Sequence, residues 1–309
     1  MNIESRERSC PQIEIFLGKG GVGKTTLSSL RALQSSSKRQ KTQLISFDPA
    51  HNLGDIFHLK IGEEYQYNTF LTLKEFDMEK RSRDYLSRLT HLLEGIYSYQ
   101  KAFHLDHYLK LLELSPGVAE YVILLEFIDL LQSDVRGMRI VMDMPPTALS
   151  LRFMALPQVN NLWCQKLLFL REQIIDKKEI LENIRGRRKG KANTKEPDKV
   201  YEKLLELNKK MITIQDIFQN RDLCRIQIVC TDERLSIMET QKIIQCLESL
   251  DLKVKTLYIN KFESEEPGLS RHVSKELKDI SKKVSHVVLV PFIRETDDMS
   301  HMINHVPEL

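Results

Sequence analysis

Gly18-Lys19-Gly20-Gly21-Val22-Gly23-Lys24-Thr25-Thr26 follows an apolar run, Gln12 to Leu17, and precedes a helical run that starts near Thr25. The stretch fits G-x-x-x-x-G-K-[ST]. Its glycines let successive backbone N–H groups turn inward without a Cβ clash. Groups arranged in that way make a concavity for anions, and the helix that begins there adds the positive end of its dipole. The Lys24 ammonium is then placed to reach the β- and γ-phosphates of a nucleotide, and the Thr25 hydroxyl to coordinate Mg²⁺. Gly20, Gly21, Val22, Gly23 and Thr26 complete the cradle. Lys19 stands out, because a loop of this kind does not need a second lysine.

The runs around the loop set the expected fold. Thr42 to Phe47 reads as a second strand ending at Asp48. Strand, loop, helix and strand form a βαβ unit and imply a parallel sheet. Arg139 to Met142 reads as a buried strand ending at Asp143, and Arg225 to Cys230, Lys255 to Ile259 and His286 to Val290 read as three more. Each ends in polar or proline residues, as the ligand-binding edge of such a sheet does. Two helical blocks lie between, about Asp84 to Leu131 and about Val159 to Phe218. The second is split by Arg185 to Asp198, which carries Arg187, Arg188, Lys189 and Lys191 and reads as a mobile surface loop. The expectation is an α/β protein: a P-loop NTPase with a mostly parallel, doubly wound sheet. An α-helical subdomain, 84–131 and 159–218, is inserted into a single domain, 1–309.

Composition limits the rest. The 309 residues are 41% hydrophobic and 29% charged, enough for a sizeable core and a well-solvated surface. The net charge of +3 gives no argument for nucleic acid or an anionic membrane. Cys10, Cys164, Cys224, Cys230 and Cys246 form no C-x-x-C pair, so neither a disulfide framework nor a zinc knuckle is indicated. A reducing, cytoplasmic setting fits that usage. Met1 to Pro11 is polar and lacks the apolar core of a secretory signal. The best spanning candidate, Val122 to Leu131, is interrupted by Glu126 and Asp129. Any place at a membrane is expected through a partner.

Asp48-Pro49-Ala50-His51-Asn52-Leu53-Gly54-Asp55 resembles switch I of the ArsA family. That family includes the arsenite-pump ATPases and the ATPases that deliver tail-anchored membrane proteins. Asp143-Met144-Pro145-Pro146-Thr147, with Leu151-Arg152, resembles its switch II. Val229-Cys230-Thr231-Asp232-Glu233 and Glu239-Thr240 resemble the next signature, and Tyr258-Ile259-Asn260 and Val290-Pro291-Phe292 the nucleotide-base region. The likeness covers nearly the whole chain and is weakest in the helical blocks. It implies Mg²⁺-dependent hydrolysis of ATP by a homodimer that sandwiches the nucleotide. Asp48 would orient the attacking water, Asp143 would hold Mg²⁺ through water, and Asn52 would contact the γ-phosphate or the water. Asn260 would hydrogen-bond the adenine, Glu233 would bind nucleoside across the dimer, and Pro291 and Phe292 would pack against the base. Lys19 would reach the neighbouring subunit's nucleotide, as an arginine finger does.

There are departures. Ala148-Leu149 replaces the family's Gly-His pair, and Gly54 stands where serine is usual. No C-x-x-C pair lies between Asn260 and Pro291, so no zinc clamp is expected. No cysteine flanks Ser115-Pro116-Gly117, where arsenite pumps supply a metalloid ligand, and Cys164 reads as a packed helix residue.

Three apolar stripes recur at helical spacing: Val200, Leu204, Leu207, Met211, Ile214 and Phe218; Trp163, Leu167, Leu170 and Ile174; and Val118, Tyr121, Val122, Leu125 and Ile128. Such stripes are buried against each other or against a hydrophobic client. Met154 and Met211 suit an adaptable surface, although the second block is not methionine-rich. The expected role is ATP-driven delivery of a hydrophobic, tail-anchored client. The alternatives are a subunit driving an arsenite or oxyanion efflux pump, whose partner is a membrane pump subunit, and a low-turnover nucleotide switch.

Overall fold

The structure is a computed structural model and describes residues 11–49, 53–96, 115, 117–184, 198–262, 277–292 and 303. Its strands are β1 (Gln12–Gly18), β2 (Thr42–Ser46), β3 (Glu64–Asn68), β4 (Leu71–Glu75), β5 (Arg139–Asp143), β6 (Cys224–Cys230), β7 (Val254–Phe262) and β8 (His286–Pro291). They form one sheet in the order β3-β4-β2-β5-β1-β6-β7-β8. All neighbours pair in parallel except β3 with β4, which are antiparallel. The helices are α1 (Lys24–Ser37), α2 (Leu53–Phe57), α3 (Met78–Ile96), α4 (Val118–Gln132), α5 (Thr147–Ile184), α6 (Lys199–Gln219) and α7 (Arg234–Ser249). This is the α/β arrangement expected of a phosphate-loop fold, and no described helix is long and apolar enough to cross a membrane.

Strand β1 is central, between β5 and β6. Ile13, Ile15, Phe16 and Leu17 are buried, as a strand covered on both faces requires. Glu14 breaks that run and is also fully buried. Arg31 of α1 donates to both its carboxylate oxygens, at 2.9 and 3.0 Å. Gln227 of β6 donates at 3.3 Å, and Arg139 of β5 lies at 3.5 Å. The cluster ties α1, the helix that carries the phosphate loop, to the three middle strands. Arg31→Met leaves Glu14 charged without its strongest partner. A loss of about 3 kcal/mol of unfolding free energy is expected in denaturant titration.

The chain divides into two compact units, one of residues 1–154 with 218–309, the other of 155–217. The described part of 84–131 falls in the first. Phe127, Phe153 and Phe218 pack mutually in that unit, with ring centroids 5.3 to 6.0 Å apart. Phe153 and Phe218 stand where the chain leaves for the second unit and returns, so this aromatic contact pins both crossings. Helix α5 begins at Thr147 and continues through Pro157 for 38 residues. Proline removes the hydrogen bond to the carbonyl four residues back and bends a helix without ending it when the flanks pack. The second helical block therefore starts about twelve residues earlier than its periodicity suggests.

In the second unit, Arg171 of α5 holds Asp198 with both guanidinium arms, at 3.0 and 2.8 Å. Asp198 also accepts from the backbone N–H groups of Val200 and Tyr201, so it caps α6. These bonds hold its carboxyl down at about 2. Met211 and Ile214 of α6 are buried, whereas Val200 is exposed. The α5 stripe is exposed throughout: Trp163 by 65%, Leu167 by 42%, Leu170 by 51% and Ile174 by 53%. Val159 and Leu181 lengthen that stripe, and Leu162, Phe169 and Ile180 are exposed about 100° around the helix from it. Cys164, by contrast, is buried, as expected.

Strands β3 and β4 are not among the runs that the sequence announces. Every residue of β3 is exposed, and β4 is short and half polar. One expectation needs correction. On α4 the deeply buried residues are Val122, Ile123, Leu124 and Phe127, whereas Val118, Tyr121, Leu125 and Ile128 are only half-buried. The helix reads VAEYVILLEFIDLLQ, apolar on nearly every side, so spacing alone does not choose its inner face. The basic stretch 185–197 lies outside the described residues.

Candidate active site

Parallel strands bring their carboxyl ends to one edge, and the loop that follows β1 sits at the middle of that edge. Gly21 and Gly23 have φ of 80° and 91°, so the loop uses a left-handed turn just before α1. A Cβ on Gly23 would run into the Asn260 amide, while nothing stands near Gly20 or Gly21. The loop is therefore packed against the protein on one side and open on the other, which is the shape of a cradle. Lys24 is buried, and its ammonium donates to the Lys19 carbonyl at 3.3 Å, closing the loop on itself. Lys19 is half-buried.

Asp143 ends β5 beside this loop and is fully buried. Ser46 of β2 donates to its Oδ2 at 3.2 Å, and its Oδ1 accepts no hydrogen bond. Burial pushes its carboxyl up to about 6, opposed by the Thr25 hydroxyl and the Lys24 ammonium and reinforced by the Asp48 carboxylate. Ser46 also accepts from the Asp48 backbone N–H at 3.3 Å. Ser46 and Asp48 stand two apart on extended chain and share one face, so one hydroxyl aligns both aspartates. Lys24, Thr25, Asp48 and Asp143 thus converge. A buried carboxylate with a bare oxygen beside a threonine hydroxyl fits a hydrated Mg²⁺.

Asn260 of β7 reaches the loop as well. Its amide nitrogen donates to the Val22 carbonyl at 2.8 Å, and the neighbouring Lys261 ammonium reaches the Gly21 carbonyl at 3.4 Å. Glu233 is exposed and precedes α7. Pro291 and Phe292 are exposed at the end of β8, three strands from β1. No described contact joins these three residues to the loop. Asn52 lies outside the described residues, with Ala50 and His51.

The flanking segments are held by carboxylates that sequence reading left without a role. Glu75, at the end of β4, accepts from the Gly54 N–H at 3.0 Å. A Cβ on Gly54 would stand 2.8 Å from the Leu59 carbonyl oxygen, which explains why serine is absent there. Glu239 of α7 accepts from the Thr147 hydroxyl at 2.8 Å. Glu75 ends β4, a strand that the sequence does not announce, and Glu239 lies within a helix, so only the structure reveals these contacts.

The model of the anion-transporting ATPase family, ArsA, matches residues 12–292. The chain belongs to the ArsA ATPase family. A protein of Aquifex aeolicus provisionally named arsenical pump-driving ATPase 2 is 30% identical over 276 residues, covering 88% of this chain and 86% of the relative. An ATPase ASNA1 homolog of Plasmodium vivax is 30% identical over 297 residues, covering 92% and 74%. The ATPase get3 of Aspergillus niger is 32% identical over 258 residues, covering 80% and 72%. The ArsA match begins with β1 and ends one residue past β8, so it takes in every strand of the sheet. The chain is accordingly an ATPase, and the loop after β1 is the part of the fold that suits its triphosphate.

Proposed function

We propose that this ArsA-family ATPase works as a homodimer around nucleotide and carries the apolar membrane segment of a tail-anchored client. The observation that carries the reading is the open face of α5. From Val159 to Leu181 the exposed apolar residues extend along about 33 Å of helix at about 1.5 Å per residue. The hydrocarbon core of a bilayer is about 30 Å thick. A surface of that length and character suits a single membrane-spanning helix awaiting insertion.

The site divides the chemistry among its residues. The loop amides and Lys24 hold the β- and γ-phosphates, and Lys19 delivers its cation to the partner's nucleotide. Thr25 and Asp143 would hold Mg²⁺. When bound, Mg²⁺ neutralises charge on the phosphate oxygens. Asp48 orients the attacking water and accepts its proton. With its nitrogen committed to Val22, Asn260 has its carbonyl oxygen to accept from the adenine amine. Glu233 meets the nucleoside across the dimer, Asn52 the γ-phosphate or the water, and Pro291 and Phe292 the base.

The test mixes the full chain, ATP and Mg²⁺ with a single-helix tail peptide and follows mass by light scattering. A dimer-sized complex that retains the peptide is expected, together with ATP turnover that Lys24→Ala removes. Turnover stimulated by arsenite, with no peptide retained, would replace this reading with that of a pump-driving subunit.

A further inference from the structure

The Thr147–Glu239 hydrogen bond has a particular place in the fold. Thr147 is the first residue of α5, four residues after Asp143. Met144, Pro145 and Pro146 fill the gap. Two prolines fix two φ angles, so this connection is a short, stiff strut. Met144 and Pro145 are buried, and the Ser150 hydroxyl donates back to the Pro145 carbonyl at 2.5 Å. Moving Thr147 therefore moves Asp143. Glu239 lies on α7, the helix that follows β6, whereas α5 follows β5. β5 and β6 are the two neighbours of β1. The bond thus crosses over the end of the strand from which the phosphate loop emerges. Both side chains are half-buried, where a hydrogen bond to a carboxylate is stronger than at an open surface. Position 148–149 is Ala-Leu, so the Thr147 hydroxyl is the first polar side-chain handle of this helix.

We infer that Glu239 is a positioning residue for ATP hydrolysis: through Thr147 it fixes the start of α5 and, through the proline strut, the orientation of Asp143. This rests on the reading of Asp143 as the residue that holds the metal.

Glu239→Ala and Thr147→Val are each expected to lower kcat about tenfold in the full chain, with KM for ATP changed less than about twofold. The double variant falls no further than either single one, because both remove the same bond. Glu239→Gln and Thr147→Ser keep an acceptor and a donor in place and keep most of the rate. In nucleotide-free protein, amide hydrogen exchange over residues 147–151 speeds up in Glu239→Ala and not in Glu239→Gln. An unchanged kcat in Glu239→Ala, additive losses in the double variant, or a Glu239→Gln as slow as Glu239→Ala would each overturn the inference. If Glu239→Ala proves poorly folded, Thr147→Val decides the matter alone. Asp143→Asn, run alongside, separates the two levels: if it hydrolyses ATP normally, the metal assignment fails first.

Discussion

Asp143→Asn is expected to lower ATP turnover about 10³-fold while leaving the nucleotide-free protein more stable at pH 7. The two effects share one cause. Asp143 is fully buried, Ser46 donates to its Oδ2 at 3.2 Å, and its Oδ1 accepts no hydrogen bond among the described residues. A carboxylate kept so dry is costly until a cation sits beside it. Supplying charge at the phosphates is worth several kcal/mol in a transition state, which corresponds to about 10³ in rate. The stability effect follows from the carboxyl at about 6 against an ordinary 3.8. Between about pH 4 and 6 the native protein holds a proton here that the unfolded chain has released, so this group's contribution falls as pH rises through that window. Above it the charged form costs about 3 kcal/mol. Asparagine keeps the shape and carries no charge. The unfolding free energies of the two proteins, measured in chelator, should therefore differ at pH 7 and converge near pH 4. A variant less stable than the parent at pH 7 would mean that the carboxylate is already satisfied without metal.

Much of this site is legible before any coordinates, because it lies where apolar runs stop. Asp48 and Asp143 each end such a run, and the glycine loop follows another, so the carboxyl edge of a parallel sheet gathers them without further information. Ser46 escapes notice for the opposite reason, and for the same one Glu239 stands in a family signature without a role. One is a glutamate in mid-helix and the other a serine within a strand, and those residue types occur there in any protein. Their partners, Thr147 and Asp143, stand 92 and 97 positions away, a separation that local patterns do not encode. Asn260 is an intermediate case. Its place near the nucleotide follows from resemblance, whereas its bond to the Val22 carbonyl spans 238 positions and emerges only from the fold.

The same distinction applies to the edges of the fold. Beyond β1, the parallel strands β2, β5, β6 and β7 announce themselves by burial on both faces, and β8 by an apolar run although one of its faces is exposed. β3 has the composition of a loop, EYQYN, and becomes a strand only because β4 offers it hydrogen bonds. Pro157 misleads in another way. It has the look of a helix boundary, but α5 runs through it.

Placing charge on the α5 face is expected to cost the client and spare the catalyst. Trp163 and Leu170 stand seven residues apart, two turns, and are 65% and 51% exposed. Covering two such side chains with an apolar helix contributes about 1.5–3 kcal/mol each. Trp163→Asp with Leu170→Asp removes both contributions and adds two carboxylates that lose water whenever the client docks, which costs more again. The combined weakening is at least about 10³-fold in affinity for a tail-anchored peptide. Both residues belong to the unit of residues 155–217 and the phosphate loop to the other unit, so basal turnover should stay within about twofold of the parent. Lys166→Glu changes charge on the same helix without removing apolar surface and serves as the control. Two results would point elsewhere. Peptide capture that survives the double change places the client on another surface. Loss of the ATP-dependent dimer, with capture measured at the same concentration, makes this face a contact between copies of the chain. The client reading requires the third pattern: a dimer that forms, an ATPase that turns over, and a peptide left behind.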